Sequence, residues 1–200
     1  CQAESGHRQI PATPTADSGT HGLGAWSAGD ASSIPVVQYN FKDVYGADPF
    51  GNPLKNAITE TQKQRAREIF EIFSLYTGVR FEETASSGLT VVTGDVRAAS
   101  STIPPTAVGG IADGRAIMNS SIDWGTSPYG GTWFQTAFHE IGHCLGLDHS
   151  YDLPSLMGKG LPGENVFPGD YDLNHFAQLY PKTGSDVDVY SFSLPGDGKL

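Results

Sequence analysis

The sequence is poor in basic residues and has no long apolar run. Its 12 lysines and arginines stand against 22 aspartates and glutamates, so its formal net charge is −10 at pH 7. This charge argues against a nucleic-acid partner or an anionic membrane surface. It suits a secreted, extracellular or cell-surface protein. With no apolar run of about 18 residues and no basic and apolar leader, we expect neither a membrane span nor a signal peptide in this chain.

The composition along the chain predicts three parts. With 38% apolar residues, the chain can form one domain with a proper core, which we assign to residues 34–183. Residues 1–33 are rich in Pro, Thr, Ser, Ala and Gly, so we expect a linker or extended arm. Residues 184–200 open with alternating polar and apolar residues, which predicts a linker and the first strand of another module of a longer chain. The alternative is a tail that packs on the domain.

Residues 139–149 place three histidines and a glutamate in a metal-binding pattern. His139 and His143 are four residues apart, so on a helix both rings lie on one face while Glu140 stays free. Gly146 can adopt the left-handed conformation that ends a helix, which lets the chain turn back and bring in His149. The segment predicts one metal ion held by three imidazoles.

The number of ligands favours a catalytic zinc over a structural one. Three protein ligands leave one tetrahedral position for water, whereas four usually close a structural site. If the histidines held a structural metal or only capped a helix, Glu140 would have no role. A decayed enzyme would also have no need of Glu140. We therefore predict that Glu140 is the general base toward a zinc-activated water.

The pattern from His139 to His149 resembles that of metzincin zinc peptidases, and the following residues are similar to the matrixin branch. The likeness rests on residues 147–150 (Leu-Asp-His-Ser) and on the spacing from them to Met157. It implies a Met-turn in which Met157 forms an apolar floor under the metal without binding it. It also implies a protein or peptide substrate.

Two departures from relatives bear on the number of metal ions. Lys159 stands two residues after Met157, where astacins and serralysins carry a tyrosine that can approach the zinc, so we expect no fourth protein ligand. The other histidines are His7, His21 and His175, so the set that holds a structural zinc in many animal matrixins is missing. We predict one Zn²⁺. Ca²⁺ is common in such relatives and is expected here too, with ligands that the sequence does not identify.

The resemblance implies an α+β, metzincin-like catalytic domain. Such a domain has a twisted, mostly parallel sheet with an antiparallel edge strand, a scaffold helix, an active-site helix, a Met-turn and a C-terminal helix. Strand patterns occupy residues 36–41, 79–82, 89–93 and 115–119. A capping box at Thr59 and Gln62 begins the scaffold helix, which should end before Gly78. Its apolar stripe comprises Ala66, Ile69, Phe70, Phe73 and Tyr76.

Residues 170–180 resemble the C-terminal helix of a matrixin domain. Asp170 or Asp172 would favour the positive end of its dipole, and His175 falls on another face as a surface or packing residue. The predicted apolar face comprises Leu173, Phe176, Ala177 and Tyr180.

The segment Gly109, Gly110, Ile111 and Ala112 resembles the exposed edge strand above the zinc in matrixins. An extended peptide can add to such an edge through main-chain hydrogen bonds, which would set its carbonyl over the metal. The alternative is an ordinary glycine-rich turn. Residues 158–169 should wall the pocket beyond the Met-turn.

Taken together, these patterns predict a zinc-dependent endopeptidase. Two alternatives remain: a catalytically silent binding or adhesion protein on the same scaffold, and a zinc amidase with a non-protein substrate. Of the two cysteines, Cys144 is expected to be a small buried packing residue. Cys1 fits an arbitrary boundary, a lipid-modified N-terminus, or a disulfide or metal-blocking partner.

Overall fold

The computed structural model describes residues 35–48, 50–99, 108–149, 155–158 and 167–180. These residues form a main sheet, a separate hairpin and three α-helices. In chain order the elements are β1 (Val36–Asn40), β2 (Val44–Ala47), β3 (Pro53–Lys55), α1 (Glu60–Thr77), β4 (Arg80–Glu83), β5 (Leu89–Gly94), a 3₁₀ turn (Val96–Ala98), β6 (Gly110–Ala112), β7 (Arg115–Asn119), α2 (Thr132–Cys144) and α3 (Asp170–Leu179).

The main sheet has the strand order β4-β1-β5-β7-β6. The first four strands are parallel, and β6 runs antiparallel to β7 at the edge, with Gly110 opposite Met118 and Ala112 opposite Ala116. This sheet, with helices packed on it, confirms the predicted mixed fold with an antiparallel edge strand. The four predicted main-sheet strands are present, each within one residue of its expected ends.

Helix α1 begins and ends at the predicted caps. Thr59 Oγ1 accepts a hydrogen bond from the Gln62 N–H while Gln62 Oε1 accepts one from the Thr59 N–H, and Gly78 closes the helix at φ 72°. One position of the predicted stripe is wrong: Tyr76 is 41% exposed, and Thr77 is buried instead. Either Tyr76 or Thr77, three or four residues after Phe73, could continue the buried face of the helix, and here Thr77 does.

The main core lies between the sheet and the helices. The ring of Phe70 in α1 stacks on that of Tyr39 in β1, with 4.0 Å between the ring centroids. Phe73 packs edge to face against Phe138 of α2, with 4.7 Å between their centroids. Phe176 of α3 stacks on Phe73 at 5.6 Å, so α3 is fixed to α1. Such aromatic pairs contribute about 0.5–1.5 kcal/mol each beyond the area they bury.

The hairpin of β2 and β3 was not predicted. Tyr45 of β2 is buried and forms a second apolar cluster with Val92, Val96 and Ile117, and Ile111 of β6 packs against it. Arg115 ties the hairpin to the sheet, because its Nη1 donates to the Tyr45 carbonyl at 2.6 Å and its Nη2 to the Ala98 carbonyl at 3.0 Å. The hairpin therefore packs, through the apolar cluster around Tyr45, against Ile111 of the edge strand.

Helix α3 differs from its predicted apolar face at Ala177, and His175 follows the packing alternative of its prediction. Ala177 is exposed, whereas His175 is buried at 7% exposure and contacts the ring of Tyr171 at 6.2 Å. Phe176 and Tyr180 are buried as predicted, and Leu173 is partly buried. His175 is thus a packing residue of this helix.

Several predictions concern residues outside the described ranges and stay predictions. They include the arm at 1–33, Cys1, Lys159, most of the pocket wall at 158–169 and the module start at 184–200. Within the ranges that are described, no helix is both long and apolar enough to cross a membrane.

Candidate metal centre and active site

Helix α2, which carries the metal motif, is anchored at its first turn by buried polar contacts. Trp133 is fully buried and its indole N–H donates to Thr93 Oγ1 on β5 at 3.0 Å. Thr93 Oγ1 in turn donates to Gln62 Oε1 at 2.9 Å, and Gln62 Nε2 donates to Ser127 Oγ at 3.1 Å. This network joins α1, β5 and α2, so it fixes the direction in which α2 projects its histidines.

The end of α2 forms the turn that the glycine predicted. Gly146 has φ 97°, its N–H donates to the His143 carbonyl, and the Leu147 N–H donates to the Gly142 carbonyl at 3.0 Å. This pair of bonds is the Schellman arrangement, which reverses the chain after a helix. Tyr180 closes the turn, since its hydroxyl donates to the Leu145 carbonyl at 3.1 Å. The reversal carries the chain back to His149.

The three imidazoles converge through their Nε2 atoms. Nε2 of His139 lies 3.1 Å from that of His143 and 3.3 Å from that of His149, and the third pair is 3.2 Å apart. Nδ1 of His139 contacts the Leu156 carbonyl and Nδ1 of His143 the Leu147 carbonyl, both at 2.8 Å. A carbonyl only accepts, so both Nδ1 atoms carry the proton and both Nε2 atoms present a lone pair.

This donor set fits zinc. Tetrahedral zinc bound at about 2.0–2.1 Å places its nitrogen ligands about 3.3–3.4 Å apart, close to the separations here. Lone pairs that face one another repel unless a cation lies between them. Burial lowers the pKa of His139, which favours the neutral imidazole that a metal requires. Within the described residues, these three histidines are the group of side chains that could hold a metal ion.

Glu140 lies beside the histidines and is almost completely buried. Its side chain is 8% exposed, and burial raises the pKa of its carboxyl to about 8. Strand β6 covers it, because a β-carbon on Gly110 would lie 2.7 Å from Cγ of Glu140. The carboxyl therefore occupies the space between α2 and the edge strand.

Met157 is fully buried against α2. A β-carbon on Gly142 would lie 2.7 Å from its Sδ, so the thioether rests on bare backbone one residue before His143. The Met157 N–H donates to Ser155 Oγ at 3.0 Å, which makes a tight turn. Met157 thus packs on the helix that carries His139 and His143, and its role as a floor under the metal stays a prediction.

Sequence reasoning missed the part that α3 has in this site. The buried Asp172 accepts hydrogen bonds from Ser155 Oγ at 2.6 Å, from the Leu156 N–H at 2.9 Å and from the Gly169 N–H at 2.8 Å. It was predicted only as a favourable charge at the helix start. The Ser155 to Met157 turn has a local signature, but nothing in the sequence pairs it with an aspartate so far along the chain.

The edge strand predicted to bind substrate is present. Gly110, Ile111 and Ala112 form β6, with Gly109 just before it, and β7 is its partner among the described strands. Cys144 is buried as predicted, and burial raises the pKa of its thiol. The site thus brings together the three histidines, Glu140, the Met157 turn and one face of the edge strand.

The fold and this site define a zinc metallopeptidase of the metzincin type. The chain belongs to the matrixin family, whose family model matches residues 77–181, more than half of its length. No curated protein matches the chain.

Proposed function

We propose that this protein is a zinc-dependent endopeptidase that cleaves internal peptide bonds, with His139, His143 and His149 as the zinc ligands. The observation that carries the proposal is the convergence of three Nε2 atoms within 3.1–3.3 Å beside the buried Glu140. When bound, the zinc would lower the pKa of a water toward about 7 and polarise the scissile carbonyl.

Glu140 has the role of general base. Its carboxylate accepts a proton from the attacking water and later delivers it to the leaving amine. Burial raises the pKa of this carboxyl to about 8 in the metal-free protein, so its protonated form is accessible at neutral pH, which suits the delivery of the proton to the amine. The nearby cation would lower this pKa again, which favours the ionised form at the start of the cycle.

The substrate binds as an extended peptide along β6. The strand is at the edge of the sheet, and main-chain pairing with it makes little demand on substrate sequence. The closeness of Gly110 to Glu140 supports this placement, because a peptide on that edge runs past the carboxylate.

Two further properties complete the proposal. The protein acts outside the cell or at its surface, which its acidic composition supports, and calcium stabilises it at loop sites that we leave unassigned. Catalysis on a protein substrate is favoured over a silent binding role because Glu140 is intact and buried at the centre.

The test is cleavage of an unfolded protein, with mass spectrometry of the new termini. We expect internal cuts that a zinc chelator abolishes, that added zinc restores and that Glu140→Gln lacks. Bound zinc without cleavage would favour the silent binding protein. Hydrolysis of a cell-wall amide without hydrolysis of protein would favour the amidase.

A further inference from the structure

Gly110 lies so close to Glu140 that no side chain fits between them. A β-carbon at Gly110 would be 2.7 Å from Cγ and 2.9 Å from Oε1 of Glu140, and 3.0 Å from Cγ2 of Thr136. Non-bonded carbon atoms pack at about 3.5–4.0 Å, so a methyl group here must displace something. Gly110 does not have a positive φ, so it is the close approach and not the backbone conformation that requires glycine.

The strand cannot move away to make room. The Asn119 N–H donates to the Gly109 carbonyl at 2.8 Å, and Asn119 Nδ2 donates to the Val108 carbonyl at 2.9 Å. Gly110 itself is paired with Met118, and Ile111 is packed against the second apolar cluster. The edge strand is therefore held by its hydrogen bonds to β7 and by the apolar packing of Ile111.

The helix cannot move away either. Trp133, Phe138 and Ile141 of α2 are fully buried in the main core, so a shift of the α2 backbone would disturb the packing of three large side chains. The side chain of Glu140, with its rotatable bonds, is the one part of the contact that can yield.

We infer that Gly110 is a positioning residue for the Glu140 carboxylate. The bare backbone at this position leaves the space that the carboxylate fills, and any larger residue rotates Oε1 away from its place. This inference deepens the proposed function and rests on it, because displacing the carboxylate matters to turnover only if Glu140 is the base.

Gly109, just before the same strand, supplies a control for the position of the carboxylate. A β-carbon there would meet only Thr136, at 3.7 and 3.8 Å, which is ordinary contact, and Gly109 has no positive φ. In the zinc-loaded protein we expect Gly110→Ala to lower kcat about 10- to 100-fold, since small misplacements of a catalytic group cost about that much. KM and zinc content of Gly110→Ala should stay within about two-fold. Because Gly109 belongs to the segment proposed to bind substrate, Gly109→Ala is compared by the position of the Glu140 carboxylate in a crystal structure and not by turnover, and we expect that carboxylate to stay where it is.

Two double variants test whether Gly110→Ala acts through Glu140 or through Thr136. In a Glu140→Gln background, Gly110→Ala should change the residual turnover by less than about two-fold, since the group it acts through is gone. Thr136→Ser removes Cγ2, and it should not restore the Gly110→Ala protein if the contact with Glu140 is the cause.

The inference is overturned by a wild-type kcat in Gly110→Ala, by a loss confined to KM, by an equal loss in the Glu140→Gln background, or by rescue with Thr136→Ser. A crystal structure of zinc-loaded Gly110→Ala gives an independent check: a displaced Glu140 carboxylate is expected, and an unmoved one contradicts the inference. Failure of the proposed function would look different, because Glu140→Gln would then remain active in the Gly110 protein.

Discussion

The buried carboxylate of Asp172 accepts a 2.9 Å hydrogen bond from the backbone N–H of Leu156. The carbonyl of the same Leu156 accepts from Nδ1 of His139, so one peptide segment stands between helix α3 and a candidate zinc ligand. Partners of this kind fix the tautomer and the direction of a ligating imidazole. The helix that ends the family domain therefore helps to hold the metal centre.

Replacing Asp172 by Asn should weaken both the metal site and the fold. One carboxylate oxygen now accepts from two backbone N–H groups, and an amide nitrogen or a neutral oxygen cannot replace it equally. We expect about a 10–100-fold loss of zinc affinity and about 1–3 kcal/mol of stability. Competition with a fluorescent zinc chelator and urea unfolding measure the two effects. Asp170→Asn, at an exposed position of the same helix turn, is the control and should leave zinc affinity unchanged.

The parts of this site that the sequence predicted are those encoded by short spacings. The four-residue step from His139 to His143, the break at Gly146 and the box of Thr59 with Gln62 are local, so their geometry follows from helical periodicity and capping chemistry.

The parts that it did not predict depend on tertiary contacts. Asp172 is 16 residues from its partner Leu156, and Gly110 meets Glu140 only when β6 packs on α2. The hairpin of β2 and β3 has a bulge between Val44 and Gly46 and one strand of three residues, so no clear alternation marks it. Tyr76 was preferred to Thr77 because it is apolar, although the helical phase puts Thr77 inside.

Glu140 should make the metal-free protein less stable at higher pH. Its folded pKa of about 8 lies above its ordinary value of 4.5, so its contribution to stability is fully present below pH 4.5 and is lost as pH rises toward 8. Relative to Glu140→Gln, the free energy of unfolding of the metal-free protein should fall by a few kcal/mol across that window.

Urea unfolding of both proteins from pH 5 to 8 checks this difference. The histidines are common to both, so their titration cancels. With zinc bound, the cation lowers the pKa of the carboxyl and the difference should shrink. A pH-independent difference in the metal-free proteins would show that Glu140 is not desolvated in this way.

Gly142→Ala should destabilise the protein although alanine is the better helix former. The added β-carbon would lie 2.7 Å from Met157 Sδ in a fully buried region, and overpacking costs about 1–3 kcal/mol against about 1 kcal/mol gained in helix propensity. Thermal unfolding of the metal-free protein measures the balance. In a Met157→Ala background the same change should be neutral or stabilising, and equal destabilisation in both backgrounds would place the clash elsewhere.

Replacing Arg115 by lysine should destabilise the protein and loosen the β2–β3 hairpin. Its guanidinium donates to the carbonyls of Tyr45 and Ala98 and pairs with Asp113, and a single ammonium group cannot reach all three. We expect Arg115→Lys to cost about 1–3 kcal/mol and to speed hydrogen exchange at the amides of β2 and β3. Arg80→Ala, which removes an exposed ion pair, should leave those amides protected. Unchanged exchange in Arg115→Lys would mean that the hairpin is held by its apolar cluster alone.

The most direct test of the central claim is the kcat/KM of Glu140→Gln against wild type on a quenched peptide, at matched zinc content of one ion per chain. The substitution removes the base and leaves the three imidazoles in place, so we predict bound zinc with turnover lowered by at least about 100-fold. Near wild-type turnover in the zinc-loaded variant would contradict the role of Glu140 and, with it, the mechanism.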